Sequence, residues 1–141
     1  MIRPFLIPAL ALAAAGLTAG CQTDSTAQVL QTTHSQAAQR AISTRYFETT
    51  DRAGVFGATL SALQDLEFVI DRADPGLGTV SATRYGGGLA RLTVTVREGQ
   101  AGTTIVRASG QMGQSELSEP LAFQRFFDAL GQSLFLQPHE I

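Results

Sequence analysis

The chain's one cysteine, Cys21, sits in the stretch LTAGCQ, directly after a run of alanine and leucine. A lone thiol there could be a nucleophile, a metal ligand, half of an intermolecular disulfide or an attachment point. No second cysteine exists, so an intramolecular disulfide is excluded. Other reactive candidates are sparse. His34 and His139 have no His, Cys or carboxylate partner at zinc-binding spacing. Asp71 and Asp74 flank a hairpin, where turn chemistry accounts for them. Asp65 and Glu67 close a helix. Ser109-Gly110 and Gly113-Gln114-Ser115 lack the G-x-S-x-G frame and a nearby base. Gly76-Leu77-Gly78 is followed by no third glycine and no helix, unlike a dinucleotide loop. Gly86-Gly87-Gly88 joins two expected strands and reads as a flexible hairpin, not a phosphate cradle. These residues give no catalytic group, no metal site and no cofactor site, and the expectation is that the chain is not an enzyme.

What surrounds Cys21 bears on its role. Residues 1–20 read MIRPFLIPALALAAAGLTAG. Arg3 supplies a positive start, and the apolar centre from Phe5 to Leu17 is about 13 residues long, short of the ~20 that cross a bilayer. A short apolar centre followed by small residues is the pattern of an export signal. Thr18-Ala19-Gly20-Cys21 resembles the bacterial lipobox, in which small residues precede an invariant cysteine. Thr18 stands where leucine is most usual, and Leu17 lies one position earlier. The resemblance implies that the thiol receives a diacylglyceryl group, that the signal is cut before Cys21, and that the new amino end is acylated. Gln22 in place of aspartate implies sorting to the periplasmic leaflet of the outer membrane. Ordinary signal cleavage leaving a free thiol, and a retained signal anchor, are the alternatives.

Residues 21–43 read as a solvated tether rich in Gln, Thr, Ser and Ala, with Val29, Leu30 and Ile42 too sparse for a core. A short helix over 37–42 is the one element expected there. From Thr44 the pattern changes. TRYFETT predicts a strand over 45–50, and Asp51 is placed to cap a helix over 52–66. Val55, Phe56, Thr59, Leu60, Leu63 and Leu66 form its apolar stripe. Gly54 and Gly57 cost this helix up to ~1 kcal/mol each, and close approach to a sheet is the expected compensation. Further strands are expected over 67–71, 78–85, 90–97 and 103–112, with a turn at Asp74-Pro75-Gly76. Val106, Ala108 and Met112 are expected on the inner face of the last strand. Pro120 opens a second helix whose stripe is Phe123, Phe126, Phe127, Leu130 and Leu134. The fold expected for 44–141 is α+β: an antiparallel four- to five-stranded sheet with two helices on one face, in the order β-α-β-β-β-β-α.

RYFETTD, LQDLEFVID, LGTVSATR and the ending FFDALGQSLFLQPHEI resemble a module of small proteobacterial outer-membrane lipoproteins of unassigned role. In those, an LQDLGF-ID segment carries glycine where Glu67 stands here. The element order is also distantly similar to the helix-grip modules in the C lipoprotein of the β-barrel assembly machinery. The 141 residues carry a net charge of −2, and all ten of their Lys-or-Arg positions are arginine. That balance gives no global pull toward nucleic acid, and export would separate the protein from it. Alternation places Arg91, Arg97 and Arg107 on the wet face of the sheet, where guanidinium forks suit carboxylates or phosphates. The expected function is a non-catalytic accessory or scaffold, held to the membrane by lipid on Cys21 and binding another envelope protein. A module that lodges a lipid or other amphiphile between helices and sheet is the alternative.

Overall fold

The computed structural model describes residues 35–136, all within one unit, His34–Ile141. The expected leader, Cys21, most of the expected tether, His34 and His139 lie outside the described residues. Helix α1 (35–43) runs straight into strand β1 (Thr44–Phe47). Helix α2 (Arg52–Asp65) follows, then β2 (Val69–Asp74), β3 (Thr79–Arg84), β4 (Ala90–Glu98), β5 (Thr104–Met112), the two-residue β6 (Ser115–Glu116) and helix α3 (Pro120–Leu136). The architecture is α+β, as expected, with one strand, β6, more than the pattern gave, and with the short helix expected over 37–42 present as α1.

The sheet is antiparallel, in the order β1-β5-β4-β3-β2, and β6 shares with β1 the far side of β5. The longest pairing is β4 with β5, where Val94 faces Ala108 and Val96 faces Val106. Period-two alternation gives the sheet two distinct sides. Val80, Ala82, Leu92, Val94, Val96, Val106 and Ala108 line the inner one, and α2 and α3 cover it. Val55, Ala58, Ala62 and Leu63 of α2 meet Phe123, Phe126 and Leu130 of α3 in the same cluster, each at most 2% exposed. Each large side chain so buried contributes about 1.5–3 kcal/mol. Phe126 and Phe127 also meet edge to face, with ring centroids 5.1 Å apart.

Asp51 caps α2 as expected: its Oδ1 accepts from the backbone N–H of Gly54 at 2.9 Å. The role expected for Gly54 is corrected. A Cβ there would stand 2.2 Å from Asp51 Oδ2, so the glycine makes room for the cap and not for the sheet. Ala58 and Ala62 of the same helix are fully buried.

Strand 2 is shifted from 67–71 to Val69–Asp74 because Glu67 and Phe68 finish the preceding helix. Phe68 N–H donates to Leu63 O and Glu67 N–H to Gln64 O, both at 2.9 Å, with Glu67 at φ 65°. That is a Schellman cap with its left-handed residue at Glu67. Strand 1 ends at Phe47, not 50, because the chain must already turn toward the cap. Thr49 N–H bonds back to Phe47 O, and the buried Thr104 hydroxyl donates to Thr49 O at 2.7 Å.

Helix α1 occupies the end of the stretch read as tether, longer than the expected 37–42 and attached to the domain. Gln39 Nε2 donates to Leu117 O, and Arg45 donates from its guanidinium to Ala41 O near the end of α1, both at 2.9 Å. The same guanidinium lies 4.8 Å from the Phe127 ring centre, tying α1 to α3.

Candidate functional site

The helices leave the other side of the sheet uncovered. Register fixes its rows. Tyr46, Ile105 and Arg97 form one row; Thr44, Arg107, Thr95, Thr79 and Asp74 the next; Ser109, Thr93, Ser81 and Arg72 a third; Glu116, Gln111, Arg91, Thr83 and Val69 the last. The interior of this face is therefore short hydroxyl side chains. Thr79, Ser81, Thr93 and Thr95 are half-buried, while the surrounding Arg72, Arg91, Arg97 and Arg107 are exposed.

The three arginines expected on this face are all there, but they are not one cluster. Arg97 and Arg107 are diagonal neighbours on adjacent strands, about 7–8 Å apart. Arg91 lies six residues from Arg97 along β4, about 20 Å away. Directly across from Arg91 stand Thr83 and Gln111; across from Arg97, Ile105; across from Arg107, Thr44 and Thr95. No carboxylate opposes any of them in the ladder, so all three charges face outward.

Arg72 is the residue that alternation misses. Ile70 faces inward opposite Ala82, so Arg72 should also point inward. A bulge between Ile70 and Arg72 inserts Asp71 and resets the parity, placing Arg72 opposite Ser81 on the open side. The one sequence signal for this is the pair Asp71-Arg72, which a core-facing position would not hold. Asp71 is held in the bulge by the Thr83 hydroxyl, which donates to its Oδ2 at 2.6 Å. Such a short bond to a carboxylate is charge-assisted.

Asp74 accepts from Leu77 N–H at 2.9 Å and closes the β2–β3 turn. Asp74 thus does the turn work expected of it, whereas Asp71, expected to do the same, is held in the bulge by Thr83 on the neighbouring strand. Ser109 donates weakly to Thr93 O at 3.4 Å on the exposed face. Gly86, Gly87 and Gly88 form the tip of the β3–β4 hairpin in open space, with Gly87 and Gly88 at positive φ. Met112, expected inside, is 42% exposed, although Ala90 directly across from it is buried. Its neighbour Gly110 is the last covered position, roofed by Leu117, whose Cδ2 would lie 2.9 Å from a Cβ added there.

No known family matches the chain, and no curated protein matches it significantly. Among the described residues, no group of three His, Cys, Asp or Glu side chains is placed to hold a metal ion, and no helix is long and apolar enough to cross a membrane. The side chains of the core cluster lie in the layer between helices and sheet, where an amphiphile would have to lodge.

Proposed function

We propose that this protein is a non-catalytic accessory of the bacterial envelope, anchored by lipid on Cys21 at the periplasmic leaflet of the outer membrane, whose open sheet face binds an acidic surface of another envelope protein. The observation that carries the reading is the uncovered face itself, with Arg72, Arg91, Arg97 and Arg107 projecting around a floor of small hydroxyl groups. Guanidinium groups with no carboxylate across the ladder keep their donors free for a partner's carboxylates. A floor of threonine and serine lets a flat partner approach closely. The lipobox-like residues 17–21 and the Gln/Thr/Ser-rich stretch after them support the anchor.

The test is affinity capture of the full chain from detergent-solubilised membranes after mild crosslinking. The native chain should bring down a partner that a chain with Arg91→Ser, Arg97→Ser and Arg107→Ser does not. Equal recovery from both chains, or the bait alone from both, would sink the reading. Mass spectrometry of the mature amino end reads the anchor separately.

A further inference from the structure

One end of the sheet is unusually greasy. Val69, Tyr85, Leu89 and Met112 are 58%, 71%, 47% and 42% exposed, half of the eight large exposed apolar residues among those described. Val69 opens β2, Tyr85 and Leu89 flank the glycines of the β3–β4 hairpin, and Met112 ends β5. Pairing brings Met112 and Leu89 together, since Met112 is opposite Ala90 and Gly113 N–H donates to Leu89 O at 2.8 Å; Val69 lies opposite Thr83, two residues before Tyr85. Scattered exposed apolar residues need no explanation; a group gathered at one end of a sheet does.

We propose that this tip is a membrane-contact surface that seats the domain against a lipid bilayer.

Shape favours a bilayer. The two turns at its centre protrude, since a Cβ on Gly86, Gly87, Gly88 or Gly113 would meet nothing within 4 Å. A bare protruding tip can enter a soft planar interface, whereas a protein partner would need a matching pocket. Chemistry agrees. Tyrosine, with an apolar ring and a polar end, suits the headgroup level. The hairpin from Arg84 to Arg91 holds two arginines and no acid, and Arg91 at its base is exposed. Three acids at this end, Glu67, Asp71 and Glu116, lie outside the hairpin, and Asp71 is bonded to the Thr83 hydroxyl.

The path of the chain points the same way. Thr44 lies beside Arg107, while Leu117 bonds Gly110, three residues nearer the tip. Gln39 reaches Leu117 O, so α1, followed backward from Thr44, climbs toward the tip end. The chain thus enters the described domain on that side. This part rests on the proposed lipid anchor: the 13 residues between Cys21 and Ser35 can reach at most about 45 Å at roughly 3.3–3.6 Å each, enough to let the tip touch the leaflet that holds the anchor.

The molecule carries its own probes. It has no tryptophan and two tyrosines, Tyr85 at the tip and Tyr46 at the far end of the sheet, equally exposed at 71% and 69%. Seven residues of β5 separate their ends, or about 23 Å. Full-length processed protein is reconstituted into phosphatidylethanolamine–phosphatidylglycerol vesicles with brominated acyl chains, which quench fluorescence on contact. Tyr46→Phe leaves only Tyr85, and Tyr85→Phe leaves only Tyr46. With the tip seated about 5–10 Å deep, Tyr85 emission should fall roughly twofold and Tyr46 emission stay nearly constant. Adding Leu89→Ser and Met112→Ser to the Tyr46→Phe chain should abolish the quenching while circular dichroism stays unchanged. Lipid on Cys21 by mass spectrometry, with no quenching of Tyr85 or equal quenching of both tyrosines, would overturn the tip and leave the anchor standing. An unmodified Cys21 with Tyr85 still quenched would remove the anchor and keep the tip. An unmodified Cys21 with no quenching would remove both.

Discussion

Glu67 carries a left-handed backbone at a helix end, a conformation that costs a residue with a Cβ about 1–2 kcal/mol and glycine almost nothing. The side chain is exposed, so nothing is gained from it in return. Glu67→Gly should therefore raise stability by about 1 kcal/mol, less the extra freedom glycine gives the unfolded chain, read as a higher midpoint in urea. The opposite holds at Gly78. Its φ is +66°, and an added Cβ would sit 2.2 Å from Val96 O, whose own N–H donates to Gly78 O at 2.7 Å. Gly78→Ala must break that ladder bond or push β4 away from β3, and should cost more than about 2 kcal/mol. The two positions look alike in sequence, each closing a turn or a helix. The resemblance to an LQDLGF segment is the one hint that residue 67 needs glycine's conformation.

At the level of elements, helix α3 closes the core, and its stripe of Phe123, Phe126, Phe127 and Leu130 was legible because spacings of three and four leave no other face apolar. Phe126→Ala should cost about 3–5 kcal/mol in a urea melt, whereas Phe135→Ala, at a position 90% exposed, should cost almost nothing. Strands β3, β4 and β5 were equally legible, since buried and wet residues alternate along them. What alternation could not show is a break in its own period. The bulge at Asp71 moves Arg72 from one side of the sheet to the other, and only hydrogen bonding to the neighbouring strand reveals it. Strand β6 escaped for a different reason: two residues carry no period at all. Helix α1 is hard to read because a single apolar residue, Ile42, packs on the core while the rest of its docking uses a glutamine amide and an arginine on the next strand.

On the scale of the molecule, the two surfaces proposed to work do not overlap with what holds the fold together. The core lies between sheet and helices, the arginines lie on the opposite side, and the apolar tip lies at one end. Replacing Arg91, Arg97 and Arg107 by serine should therefore shift stability by no more than about 0.5 kcal/mol per site. Partner capture, by contrast, should depend on those charges and on salt. At 0.1 M ionic strength the screening length is about 10 Å, and at 1 M about 3 Å, shorter than the spacing between any two of these arginines. Raising salt over that range should release the partner from the native chain progressively, with the melting temperature changing little. Contact of the tip with a bilayer is mainly apolar, so quenching of Tyr85 should survive the same rise in salt. A partner that stays bound at high salt, or a Tyr85 that leaves the membrane as salt rises, would reverse the assignment of charge to the face and grease to the tip.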